Sequence, residues 1–223
     1  MDNSRIFIGG NWKSNCSLEK AEKLTKELIS ELSKMDKNMK ENKYVVISPP
    51  FVYLKEINEL VKRTKFAKFN FAVSAQNCSE TGNGAYTGEI STEMLKSIDV
   101  KWVIVGHSER RSLFCENDNT IAQKISLCMK EKLSVIACIG ETLKERKNGQ
   151  LEEILNRQLE GIQNSQNLDW SKIVIAYEPV WAIGTGEVAT PEQAQKVHCF
   201  IRKWLNKRVS PEIANTIRII YGG

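Results

Sequence analysis

The chain has 223 residues, of which 41% are hydrophobic and 26% charged, and its formal net charge is +5. That composition is ordinary for a globular protein of one large domain or two small ones. The densest basic stretch, VKRTKFAK at 61–68, has no aromatic ladder or nucleic-acid motif beside it, so it reads as a solvated face and implies no nucleic-acid partner. No apolar run approaches the roughly 18 residues of a membrane span, and MDNSRIFIGG lacks the basic region and long apolar core of a signal peptide. Cysteines at 16, 78, 115, 128, 138 and 199 form no CxxC pair, and several sit in apolar runs. They read as reduced, mostly buried thiols, which points to the cytoplasm.

Short apolar segments and helical stripes alternate along the chain. RIFIGG is followed by a stripe from Leu18 through Ala21, Leu24, Leu28 and Leu32 to Met35. YVVIS is followed by Leu54, Ile57 and Val61, then FNFAVSA and KWVIVG. Ile121, Ile125, Cys128 and Met129 precede SVIACIG. Leu151, Ile154, Leu155, Leu159 and Ile162 precede KIVIAY. Thr190-Pro191-Glu192-Gln193 supplies a capping threonine, a proline at the first helical position and a glutamine at the third, opening a helix through Ala194, Val197, Ile201, Trp204 and Leu205. IRIIYGG closes the series. The strands are continuously apolar rather than alternating, so they predict a parallel sheet buried on both faces. Seven strands in β-α order fit either a doubly wound open sheet or a (β/α)8 barrel.

Polar residues gather at the carboxyl ends of these strands. Asn11 and Lys13 follow the first, His107, Ser108 and Glu109 the fourth, Glu178 the sixth and Gly222-Gly223 the seventh. Taken singly, each has an ordinary structural reading: a surface lysine, a hydrogen-bonded histidine, an ion-paired glutamate, a chain end. Gly184-Thr185-Gly186 reads as a turn, since a dinucleotide fingerprint needs a strand before it and a helix after. Their shared position carries more weight, because active sites of parallel α/β folds form at that face. A desolvated carboxylate can abstract a proton, and a neutral imidazole can donate to a developing oxyanion. A lysine adds fixed positive charge and an asparagine a further donor. Such a set suits proton removal beside a carbonyl, with backbone N–H groups holding a phosphate and a closing loop excluding water. No metal-ligand spacing occurs, and the second histidine, His198, lies mid-helix in a structural or solvent-facing role.

The chain resembles triosephosphate isomerase. GNWK (10–13), SPPFVYL (48–54), AQNC (75–78), GAYTGEIS (84–91), VGHSERR (105–111), ACIGET (137–142), AYEPVWAIGTG (176–186) and YGG (221–223) follow the family's order from one end to the other. The resemblance implies a TIM (β/α)8 barrel over a single domain, 1–223. It implies interconversion of dihydroxyacetone phosphate and glyceraldehyde 3-phosphate in glycolysis and gluconeogenesis, without cofactor or metal. Glu178 is then the base, His107 the neutral electrophile, and Lys13 the charge stabiliser. Asn11 contacts substrate, and Glu109 organises Lys13 and the helix start. Gly184, Gly222 and Gly223 meet the phosphate. Residues 179–189 form a lid hinged at Pro179-Val180-Trp181 and Glu187-Val188-Ala189. The loop from Gln76 through Asn77 and Thr87 to Glu89 inserts into the second subunit of a homodimer, with Thr87 approaching the partner's Asn11.

Four departures accompany the resemblance. Cys115 replaces a usual glycine and Glu187 a usual lysine, and 35–43 and 64–69 read as surface insertions. The family continues past YGG with a serine, a further strand-helix unit and a second glycine pair. The expectation is therefore a barrel lacking its eighth unit, with unpaired edges on strands one and seven and a partial phosphate site. Two outcomes follow: an active isomerase, or an inactive truncated product that at most associates with full-length subunits. A different phosphate-binding barrel is a third, disfavoured by the combined motifs.

Overall fold

The computed structural model describes residues 6–36, 43–66, 69–183 and 186–222. Contacts divide the chain into two compact units, Met1–Ser79 with Asn83–Val103, and Glu80–Gly82 with Ile104–Gly223. Parts of both expected insertions, 37–42 and 67–68, lie outside the described residues.

The first unit holds β1 (Phe7–Asn11), α1 (Leu18–Asp36), β2 (Lys43–Ser48), α2 (Leu54–Lys62), β3 (Phe69–Ala75), α3 (Thr92–Ser97) and the start of β4 (Trp102–Val105). Its strand pairs are parallel, from Phe7↔Tyr44 to Asn11↔Ser48 and from Ser74↔Trp102 to Ala75↔Val103. On α2, Leu54, Ile57 and Val61 are buried at successive turns. Asn58, on the same helix, reaches the carbonyl of Ile98 at 2.9 Å, so this buried amide is paired. Phe7 and Tyr44 both meet Trp102 edge-on, with centroids 5.2 and 6.0 Å apart.

The second unit holds the end of β4, then α4 (Ser108–Leu113), α5 (Asp118–Lys130), β5 (Ser134–Ile139), α6 (Leu143–Lys147), α7 (Leu151–Gln163), β6 (Ile173–Tyr177), α8 (Pro191–Arg208), α9 (Pro211–Thr216) and β7 (Arg218–Tyr221). Ile139 pairs with Tyr177, and Tyr177 with Tyr221, so these strand ends are in step. Ile154, Leu155, Leu159 and Ile162 of α7 are each at most 4% exposed, and burial of each contributes roughly 1.5–3 kcal/mol. Hydrogen-bonded strand order follows chain order from β1 to β7.

All seven expected strands form. The expectation that they are buried on both faces holds for β4 and β6 and nearly so for β5, but not at the ends of the order. Ile8 of β1 is 58% exposed and Tyr221 of β7 is 39% exposed. A strand with one hydrogen-bonded neighbour lacks half the flanking cover of a central strand. The cysteines also depart from expectation: Cys16, Cys115 and Cys199 are exposed. Cys16 and Cys115 occupy positive-φ loop positions, and Cys199 lies on the outward side of α8.

Candidate active site

In the first unit, β1 delivers Asn11 and Lys13 to its carboxyl end. Lys13 has φ 51°, in the left-handed region that a side chain with Cβ rarely adopts. Two side chains hold it there. Asn11 Oδ1 accepts the Lys13 N–H at 2.9 Å. Gln76 Nε2 donates to the carbonyl of Lys13 at 2.9 Å and to that of Ser48 at 2.8 Å. Backbone strain maintained by surrounding bonds is typical of functional positions. Gln76 thus has a role inside its own chain that the interface expectation did not include. Thr87 is exposed, in a loop closed by Ser79 N–H donating to Ile90 O at 2.8 Å.

In the second unit, four strand ends converge on Glu178. β4 ends at Val105, and Gly106, with φ 77°, starts the turn into α4. His107 caps that helix: its Nδ1 accepts the Glu109 N–H at 3.2 Å. An acceptor nitrogen carries no proton, so this contact fits the tautomer with its proton on Nε2. His107 Nε2 lies 3.2 Å from Glu178 Oε1. The Ser108 N–H, in the first turn of α4, donates to Glu178 Oε2 at 2.9 Å. Both side chains are buried, with Glu178 5% exposed.

The backbone under Glu178 is equally fixed. Glu178 N–H donates to Ile139 O, and Gly222 N–H to Tyr177 O, each at 2.8 Å. A Cβ on Gly140 would lie 1.7 Å from Glu178 O, so only glycine fits. Gln158 holds Gly140 from both sides, accepting its N–H at 2.8 Å and donating to its carbonyl at 3.1 Å. A Cβ on Gly222 would meet Glu178 Cγ at 3.3 Å, which places Gly222 directly beside the base. Burial pushes the Cys138 thiol well above its ordinary range, and the hydrogen-bonded Glu178 carboxylate pushes it further. The thiol therefore stays protonated beside Glu178.

The segment after Glu178 is anchored at both ends. Glu141, fully buried, accepts from Trp181 Nε1 and Arg146 Nη1 at 2.8 Å each and from the Tyr177 hydroxyl at 3.1 Å. The Arg146 guanidinium lies 4.4 Å over the Trp181 ring. Burial and the Glu141 carboxylate raise the Tyr177 hydroxyl above its usual range, keeping it a donor. At the far end Thr190 and Gln193 form a reciprocal capping box on α8. Between the anchors Gly186 has φ 81° and Val188 is 78% exposed. Gly184 and Gly223 lie outside the described residues.

The family model for triosephosphate isomerase matches residues 6–223. The chain belongs to the triosephosphate isomerase family. Cytosolic triosephosphate isomerase of Oryza sativa subsp. japonica is 43% identical over 219 residues, covering 98% of this chain and 82% of the relative. Triosephosphate isomerase of Paracoccidioides lutzii is 44% identical over 220 residues, covering 98% and 84%. The family's enzymes are intramolecular isomerases, and its fold is the TIM barrel to which these parallel strands and flanking helices belong. No helix among the described residues is long and apolar enough to cross a membrane.

Within this chain, His107, Glu109, Glu178 and Gly222 come together in the second unit, and Asn11 and Lys13 in the first. Cys138, Gly140, Glu141 and Gln158 were not singled out beforehand. Three of them lie in ACIGET, a matching motif that gave no indication of their contacts. A cavity of about 820 Å³ opens beside Glu178 and is also lined by Ser108, Arg111 and Gly140. Arg111 there is already bonded to Asp118 at 2.7 Å.

Proposed function

We propose that the chain interconverts dihydroxyacetone phosphate and D-glyceraldehyde 3-phosphate through an enediolate, as a glycolytic and gluconeogenic enzyme of the cytoplasm. The observation that carries this reading is the Glu178–His107 pair: a buried carboxylate beside an imidazole whose hydrogen bonding leaves its proton on Nε2. Glu178 is the base. With no substrate its Oε2 takes the Ser108 N–H, and its Oε1 lies 3.2 Å from His107 Nε2. To reach a substrate carbon it exchanges one of these for the C–H it attacks, and the freed Nε2–H turns to the substrate oxygen. Glu178 then returns the proton to the neighbouring carbon, while His107 serves the two oxygens in turn.

In this reading Lys13 balances the charge of the enediolate and Asn11 contacts the substrate. Glu109 supports the helix start, and Gly184, Gly222 and Gly223 meet the phosphate, the N–H of Gly222 staying with the Tyr177 carbonyl. Residues 179–189 close over the site and exclude water. Residues 1–223 act as one barrel-type domain, and two copies associate through Gln76, Asn77 and Thr87. No cofactor takes part.

The test is isomerisation by the purified chain against Glu178→Gln, which keeps the shape and removes the base. The reading expects kcat to fall roughly 10²–10⁴-fold, the usual range for a general base. Equal activity in the two proteins would sink it. A folded but inactive wild-type chain would leave only association with full-length subunits.

A further inference from the structure

Between α7 and α8 lies a cavity of about 640 Å³ that shares no residue with the one beside Glu178. Lys196, Lys203 and Lys207 recur along α8 at helical spacing and line it. Among the described residues none of these three ammonium groups has a hydrogen bond or ion pair. Other exposed lysines are partly paired, as Lys26 is with Glu22 and Lys34 with Glu31, and partly unpaired among the described residues, as at Lys23 and Lys55; what sets these three apart is that they share one groove. Of the acids in the lining, Glu160 already holds Arg208 at 3.5 Å, which leaves Glu152 to face three free cations. The wall also carries Phe200 and the indole of Trp204. Trp204 is 6% exposed, and its Nε1–H has no acceptor among the described residues. A buried polar group without a partner calls for an explanation.

We propose that this groove binds a nucleoside polyphosphate. The cations require several negative charges on one ligand, and the apolar wall requires a ring or similar body. The volume falls within the usual range for organic ligands. A triose phosphate, with one phosphate and no ring, meets only part of this description. The site is independent of the isomerase reading, since none of its residues serves that chemistry.

Cys199 lies in the same lining and is exposed, so its alkylation reports occupancy. The purified chain is treated with iodoacetamide, and labelling at each cysteine is followed by mass spectrometry with ATP, tripolyphosphate, adenosine or dihydroxyacetone phosphate present. ATP at ten times its dissociation constant is expected to slow Cys199 labelling about elevenfold, following 1 + [L]/Kd. Cys16 and Cys115 keep their rates, and adenosine and dihydroxyacetone phosphate have no effect on Cys199. Lys203→Glu with Lys207→Glu abolishes the protection while isomerase activity is unchanged. The proposal is overturned by unslowed labelling, by equal protection from tripolyphosphate, or by protection that survives the double substitution.

Discussion

Gly140→Ala tests how the base is positioned. The added methyl would lie 1.7 Å from Glu178 O and 2.7 Å from Glu178 C. Reaching even a tight 3.0 Å contact with that oxygen requires about 1.3 Å of movement (3.0 less 1.7). Gly140 cannot yield easily, because Gln158 holds both its N–H and its carbonyl. The displacement therefore falls on Glu178. A misplacement of about 1 Å costs roughly 10²-fold in rate, and overpacking costs roughly 1–3 kcal/mol. For a chain of this size that lowers Tm by roughly 2–12 °C. We expect kcat to fall about 100-fold in a protein whose circular dichroism is native. Gly149→Ala is the control: its φ of 71° also disfavours a side chain, but open space surrounds it, so it costs stability alone. Steady-state isomerisation and thermal unfolding measure both. Gly140→Ala with kcat within about threefold of wild type would refute the argument, since the predicted loss is far larger.

Trp181→Phe removes the 2.8 Å donor to Glu141, a carboxylate with no access to water. A hydrogen bond to a charged group is worth roughly 1.5–3 kcal/mol, so unfolding should shift to lower denaturant by that amount, and an unchanged midpoint would count against the anchor. Arg146→Met strips Glu141 of its cation; because Arg146 is 26% exposed, the loss should lie near the lower end of the roughly 3–5 kcal/mol seen for broken buried pairs, read from the same denaturant curves. His198 has its pKa lowered by burial and then by Arg202. Above about pH 6.5 both folded and unfolded chains hold it neutral. As pH falls below that value the unfolded chain takes up a proton that the folded chain resists, so stability drops. His198→Gln should flatten this part of the stability–pH curve, and parallel curves for the two proteins would exclude His198 as its source.

The strands were legible because continuous β-branched runs such as KIVIAY have few alternatives, and Thr190-Pro191-Glu192-Gln193 gave the start of α8 to the residue. The helices α3, α6 and α9 were not read, and of α4 only the start at 107–109 was, because five or six residues are too few to display a 3.6-residue period. One of them matters: α4 supplies the Ser108 N–H to Glu178 and takes His107 as its cap. His107 and Glu178 were visible as polar residues ending apolar strands. Their partners were not, since Glu178 takes the N–H of Ser108, 70 residues away, and His107 Nδ1 takes that of Glu109 only once the turn into α4 has formed. Gly140 shows the same limit. Its need for glycine arises from the carbonyl of Glu178, a neighbour that exists only once β5 and β6 pair in register.

The central claim is that Glu178 carries a substrate proton through an enediolate. Isomerisation of dihydroxyacetone phosphate in D2O, followed by NMR, tests it directly. Glu178 exchanges its captured proton with solvent in part of the turnovers, so product from the wild-type chain should carry deuterium at the carbon that receives the proton. Product from Glu178→Gln should form roughly 10²–10⁴-fold more slowly. Turnover without deuterium in the product, as a direct hydride shift would give, or labelling at the wild-type rate in Glu178→Gln, would contradict the account.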